Sequence, residues 1–345
     1  MDNKLSENNL IKNNNISNKD KIFINEEEKT KYFNTNNNYI DYFIEIGINP
    51  TLLFQEELFN SISINSINKL LVPEIISKFP NFDKKSVVLD NVTIKSIFPE
   101  GFKCIETNNK PDPIFYSIIL DNQMNSSEYI HKYVSCLIIY ESVSNYVLLN
   151  DLYKYNKFRD KNSLEKYKKY YIPKCIGIIS LFPYIDKFEV ILRSLYELFL
   201  SRMYINLYLE EIIMKLVIEI PKIPRGFKRV ILRLPNKTID LTENKMNNLP
   251  TIHSNISQAI GHFSLENLID IYTYLLLETK MIFFSSKIQE LSNTILSFLH
   301  LLSPLKYQYQ IVSVLPRQLF SFCQTLSPFI FGINENYYPH YFKKK

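Results

Sequence analysis

Over the last quarter of the chain the apolar positions change period twice. Met281-Ile282-Phe283-Phe284 is a continuous apolar run, short enough for a strand and too short for a helix. Ile288, Leu291, Ile295, Phe298, Leu299 and Leu302 then recur at helical spacing until Pro304 stops them. Tyr307-Gln308-Tyr309, Val314-Leu315-Pro316 and Ser327-Pro328-Phe329-Ile330-Phe331-Gly332 follow. This order predicts a charged turn at Glu278-Thr279-Lys280, a buried strand, a helix, a second strand and a closing turn. Together these make an α/β unit, with Phe283 and Leu299 in its core and Ser285-Ser286 capping the helix.

Upstream, Ile40 to Gly47 alternates well enough for a strand ending at a glycine turn. Ile94 to Phe98, closing at Pro99-Glu100-Gly101-Phe102, Ile114 to Leu120 and Tyr133 to Tyr140 read as further strands. Consecutive strands with short turns predict an antiparallel sheet backed by helices, one of them spanning Ser142 to Tyr155. A lysine-rich connection from Lys154 to Lys174 leads to a buried strand at Tyr171–Ser180. Phe188, Ile191, Leu192, Leu195, Leu198 and Phe199 then mark an amphipathic helix. A second helix runs from Asn206 to Ile218, a strand from Val230 to Leu234, and a helix starts after Ser264 as N-cap.

The chain has 345 residues, 46% of them hydrophobic, which is enough for two lobes with cores of their own. Twelve of the first forty residues are Asn and no period emerges there, so residues 1–38 are expected to be a disordered tail. Ala259 is the only alanine, and Asn, Lys, Ile, Tyr and Phe are abundant. These residues share A/T-rich codons, so the net charge of +5 carries little functional weight. No basic module with aromatic platforms points to nucleic acid. The apolar runs are broken by Glu278, Lys280, His300 and Pro304 and fall short of a membrane span, so a soluble, cytoplasmic protein is expected, with peripheral contact on endomembranes left open.

The search for reactive groups is largely negative. There is no GxxxxGK[ST] loop, no GxSxG elbow and no HExxH pair. Cys104, Cys136, Cys175 and Cys323 are scattered without metal spacing, and the five histidines stand apart. Neither a cofactor, nor a metal, nor a catalytic residue is expected. One segment stands out: Lys222 to Lys237 carries Lys222, Arg225, Lys228, Arg229, Arg233 and Lys237 without an acidic residue, in a chain where arginine is scarce. It reads either as a strand with solvated flanks or as a contact for an acidic protein surface or anionic lipid headgroups.

Several stretches together resemble the DENN domain family. Asp41 to Gly47, Ile76-Ser77-Lys78-Phe79-Pro80 and Phe98-Pro99-Glu100-Gly101 look like the signatures of its upstream region. Tyr171 to Ile176, Ser180 and Phe182-Pro183 resemble the start of its central region, and Leu275 through Ser286, Pro304 to Gln308, Val314 to Pro316 and Ser327 to Ile333 complete it. Tyr307 stands where the family commonly has tryptophan, and the helical downstream region is not evident before Lys345. The resemblance implies an α/β (α+β) fold, with a longin-like upstream lobe at 39–165 and a central α/β lobe at 166–345. It also implies a Rab-type small GTPase as partner, bound across both lobes, and guanine-nucleotide exchange as the activity. The alternative is a scaffold or a subunit of a complex regulating small GTPases, including GAP-type complexes. Arg225, Arg229, Arg233, Lys306, Tyr307 and Gln308 are the expected partner contacts.

Overall fold

Tyr42, Phe43, Ile44 and Ile46 are all buried, so both faces of the first strand lie against packed layers rather than alternating between core and water. The computed structural model describes residues 38–48, 72–81, 91–99, 101–123, 129–142, 170–201, 206–220, 229–242 and 256–337. The Asn-rich tail, nearly all of the expected helix after Ser142, and most of the lysine-rich connection lie outside these.

Strands β1 (Tyr42–Gly47), β2 (Glu74–Phe79), β3 (Ile105–Glu106), β4 (Ile114–Gln123), β5 (Tyr129–Ser142) and β6 (Tyr170–Ser180) form one antiparallel sheet. Its order is β2-β1-β6-β5-β4, with β3 also paired to β6. The strand expected to open the second lobe therefore supplies the middle of the first sheet. Pro173 is tolerated inside β6 because it falls between two partners: pairing with β1 ends at Cys175, and pairing with β3 begins at Tyr171. β2 is an edge strand whose Glu74, Ile76 and Ser77 are exposed, which erased the apolar alternation that would have announced it.

The expected strand at Ile94–Phe98 is a helix, α1 (Asn91–Ile97). Val92, Thr93, Ile94 and Ile97 favour strand by their branched side chains. The buried set Thr93, Ser96 and Ile97 instead sits at i, i+3 and i+4, one face of a helical turn. Helix α2 (Ile185–Ser201) lays Phe188, Ile191, Leu192 and Leu195 on the sheet face formed by Phe115, Leu137, Ile139 and Ile178. Helix α3 (Asn206–Ile218) coincides with its expected span and contacts β1 and β2.

A hairpin of β7 (Ile231–Arg233) and β8 (Thr238–Asp240) follows and packs Leu234, Ile239 and Leu241 into the same core as α2. Beyond it come α4 (Ile256–Ile260), α5 (Leu265–Leu276), β9 (Met281–Ser285), α6 (Ile288–Leu301), β10 (Gln310–Val312) and β11 (Phe329–Asn334). Ser264 accepts from the Asn267 amide at 3.3 Å and caps α5 as expected. The only alanine, Ala259, is buried in α4, which packs against α6. Ser285 and Ser286 do not cap α6: the N-cap is Lys287, and Ser285 Oγ accepts from its amide at 3.2 Å.

β10, β11 and β9 form a parallel sheet in that order, so the expected closing turn at Ser327–Gly332 holds most of its central strand. Every residue of β11 is buried, whereas β9, expected to be buried, is an edge strand on which Phe283 is only half-buried. Leu299 is likewise half-buried. Gly332 explains the close fit of this layer, because a Cβ there would lie 2.0 Å from the Ser313 carbonyl oxygen and 2.9 Å from Leu291 Cγ. The two sheets are not separate bodies: Val312, Phe329 and Phe331 share one core with Ile44, Ile118 and Val134, and Ile311 and Ile330 share the other with α2.

Candidate functional site

A turn after α1 shapes one wall of a cleft. The Gly101 amide donates to the Phe98 carbonyl at 2.9 Å, and Gly101 takes a φ of +83°, a conformation a side chain would strain. Phe98 and Phe102 meet edge to face at 4.9 Å, and Tyr116 Oη donates to the Ile97 carbonyl, so the turn is fastened to β4. Opposite stand the first turns of α2 and α6. The Leu181 amide donates to Asp41 Oδ2 at 3.0 Å and the Phe182 amide to Ser180 Oγ at 3.0 Å, which fixes where α2 begins.

These elements enclose a cleft of roughly 1200 Å³ between the edge of the first sheet and the layer of the second. Its floor is Ile114 to Ser117 of β4, with Ile138, Tyr140 and Pro173 behind. Lys103, Asp186, Glu189, Lys287 and Glu290 make a rim of both signs. Four of these charges have a partner close in sequence, Asp186 pairing with Lys187 at 3.7 Å. Lys287 Nζ lies 2.7 Å from Glu290, a bond that holds the Glu290 carboxyl below the ordinary carboxylate range, and Arg193 lies 2.9 Å from Glu189. Pairs so exposed add little stability, but they present fixed charge to whatever enters.

Neither histidine nor cysteine is among the described residues that line the cleft. Elsewhere burial pushes the Cys104 thiol up to about 11 and Cys136 well above the ordinary thiol value, leaving both as protonated, inert core groups. Among the described residues no group of three His, Cys, Asp or Glu is placed to hold a metal ion, and no helix is long and apolar enough to cross a membrane.

Of the residues expected as partner contacts, the described ones lie elsewhere. Arg225 is outside the described residues. Arg229 and Arg233 are exposed on the β7–β8 hairpin, where Arg229 lies 3.5 Å from Asp240. Hydrogen bonds from Thr242 and then the Arg229 charge hold Asp240 below its usual range. Lys306 and Gln308 are exposed, with Gln308 Nε2 donating to the Lys306 carbonyl at 2.9 Å. Tyr307 is buried and its Oη donates to the Thr279 carbonyl at 3.3 Å, so it is a core residue rather than a contact. None of the five described ones lines the cleft. The cleft residues were missed because they come from seven elements far apart in sequence. The usable signal was the polar side of α6, where Gln289, Glu290 and Asn293 face away from buried Leu291 and Ile295.

A comparison with protein families matches the DENN (AEX-3) domain to residues 171–345, from β6 to the end of the chain.

Proposed function

Since the chain belongs to the DENN domain family, which is linked to the regulation of Rab GTPases, we propose that it is a guanine-nucleotide exchange factor that promotes GDP release from a Rab-type GTPase in vesicle trafficking. The family match over half the chain carries this reading, and the cleft between the two sheets supports it with a surface large enough to engage part of a protein partner. The chain then acts as a regulator rather than a chemical catalyst. Exchange needs only tighter binding to the GTPase conformation that has lost nucleotide and Mg²⁺, so no acid, base or metal of this chain is required.

In this reading β1–β6 with α2 constitute a longin-like upstream lobe, and the parallel sheet with α5 and α6 the central lobe. Arg229 and Arg233 provide a second, peripheral contact for an acidic GTPase surface or anionic membrane. The deciding experiment is a panel of Rab-family GTPases loaded with fluorescent GDP, mixed with the full chain. Accelerated release from one member or a related subset is the expected result, and no acceleration across the panel overturns the proposal.

One observation favours the second reading, a subunit of a larger GTPase-regulating complex. Leu265, Ile269, Tyr272 and Leu276 are all exposed along α5 at i, i+4, i+7 and i+11, an apolar stripe of the kind that protein partners cover. Stable association with partner proteins without acceleration of GDP release would select it.

A further inference from the structure

The cleft floor contains a half-open sheet edge. β4 pairs with β5 in unbroken register from Ile114↔Ile138 to Gln123↔Tyr129, so alternate residues of β4 direct their backbone groups away from β5. Three bonds show which residues these are. Ser313 Oγ accepts from the Ile119 amide at 2.9 Å, the Ser313 amide donates to the Ile119 carbonyl, and Ser292 Oγ donates to the Ser117 carbonyl. By the two-residue period Phe115 faces the same way. Its N–H and C=O, together with the Ser117 N–H, have no hydrogen-bond partner among the described residues, and both residues line the cleft.

We propose that this edge is a strand-docking site: an extended segment of the small GTPase adds to the first sheet along Phe115–Ser117, inside the cleft. The proposal deepens the exchange-factor reading and rests on it. Donor, acceptor and donor at strand spacing are answered together by another peptide backbone, in which one residue opposite Phe115 exchanges both bonds and a neighbouring carbonyl takes the Ser117 N–H. A lipid chain or an apolar small molecule leaves these groups unpaired, which is costly once water is excluded. Ile105 and Ile114, 37% and 45% exposed, flank the same floor and give apolar side chains of the entering strand a place to bury. The rim of Lys103 and Lys287 against Asp186, Glu189 and Glu290 matches a partner surface of mixed charge rather than a membrane of one sign. The GTPase is the occupant because the edge opens into the cleft that the exchange-factor reading assigns to it.

The test is residue-resolved amide hydrogen exchange on the full chain, alone and with the nucleotide-free GTPase that the release panel identifies. Phe115 and Ser117 are expected to exchange at least about tenfold more slowly in the complex, while Tyr116 and Ile118, already bonded to β5, change little. Unchanged exchange at Phe115 and Ser117 in a complex that still releases GDP overturns strand docking and leaves the exchange reading standing. A panel in which no GTPase responds overturns both. Protection that appears on concentrating the chain alone overturns the GTPase as occupant in favour of a second copy. As a second arm, Ile114→Lys places a charge at the lip of the floor on a half-exposed side chain. It is expected to weaken GTPase binding about tenfold or more with an unchanged melting temperature, and unaltered affinity overturns the proposal.

Discussion

Ser313 holds Ile119 through two hydrogen bonds, its Oγ accepting from the Ile119 amide at 2.9 Å and its own amide donating to the Ile119 carbonyl at 3.4 Å. Ser292 Oγ adds a bond to the Ser117 carbonyl and lies 3.3 Å from Ser313 Oγ. Ser117, Ser292 and Ser313 are all buried. This polar seam joins the antiparallel sheet to the layer of the parallel one, inside a core that is otherwise apolar. Ser292→Ala leaves the Ser117 carbonyl without its side-chain partner, and Ser313→Ala does the same to the Ile119 amide. Each is expected to cost about 1–3 kcal/mol by urea denaturation. Because the two hydroxyls touch, the double variant should lose a different amount from the sum, by roughly 0.5 kcal/mol or more. Additive losses would show that the seam is two independent bonds.

Gly332 sits where β11 runs beside the end of β10 and against α6. An added methyl meets a backbone oxygen at 2.0 Å and the Leu291 and Ile295 side chains at 2.9 and 3.0 Å, so relief requires moving main chain. Gly332→Ala is expected to destabilise by more than about 3 kcal/mol, beyond the usual range for overpacking, or to prevent folding altogether. Gly101→Ala, with open space around its Cβ but a φ of +83°, should lose only about 1–2 kcal/mol. Equal effects at the two sites would mean that close approach is not what Gly332 provides.

The long helices and the central strands of the antiparallel sheet were legible in the sequence because their apolar patterns were long and clean: α2, α3 and α6 start and stop close to where their patterns do. What misled was local. At α1 the β-branched run outweighed a single helical turn of burial. At β11 a Ser-Pro start and a Gly looked like turn chemistry, although Pro328 precedes the strand and Gly332 serves packing. The cleft could not be read at all, since its floor, walls and rim meet only through pairing of β4 with β5 and the serine bonds to α6 and β10. Tyr307, singled out beside two exposed neighbours, turned inward.

Phe283 of β9, paired with Gly332, and Phe331 of β11, paired with Ile282, distinguish edge from centre in the parallel sheet. Phe331 is fully buried and Phe283 is half-buried, with its ring 5.7 Å from that of Phe298. Phe331→Ala is expected to cost about 3–5 kcal/mol, and Phe283→Ala about half as much, since part of its ring already meets water. Chemical denaturation of the two variants checks the order. A larger loss at Phe283 would place the central strand wrongly.

Alkaline pH should expose the inward turn of Tyr307. Burial, and then the charges of Glu278 and Tyr309, raise its phenol above the ordinary value, so the folded state keeps a proton that the unfolded chain releases near pH 10. Lys174 acts in the same direction: burial alone would lower its pKa, but Glu141 at 3.3 Å and Glu45 at 2.5 Å outweigh that and raise it. For both groups the folded state binds more protons than the unfolded one above about pH 10, so stability is retained below that pH and falls as pH rises further. Urea midpoints measured from pH 7 to 11 should begin to decline above about pH 8.5 in the parent protein, where unfolded Cys104 and Cys136 ionise, and fall more steeply above about pH 10. Tyr307→Phe should flatten that decline while losing about 0.5–1.5 kcal/mol at neutral pH with the bond to Thr279. An unchanged alkaline slope in Tyr307→Phe would mean that the phenol is open to water, and would return Tyr307 to the surface as a contact beside Lys306 and Gln308.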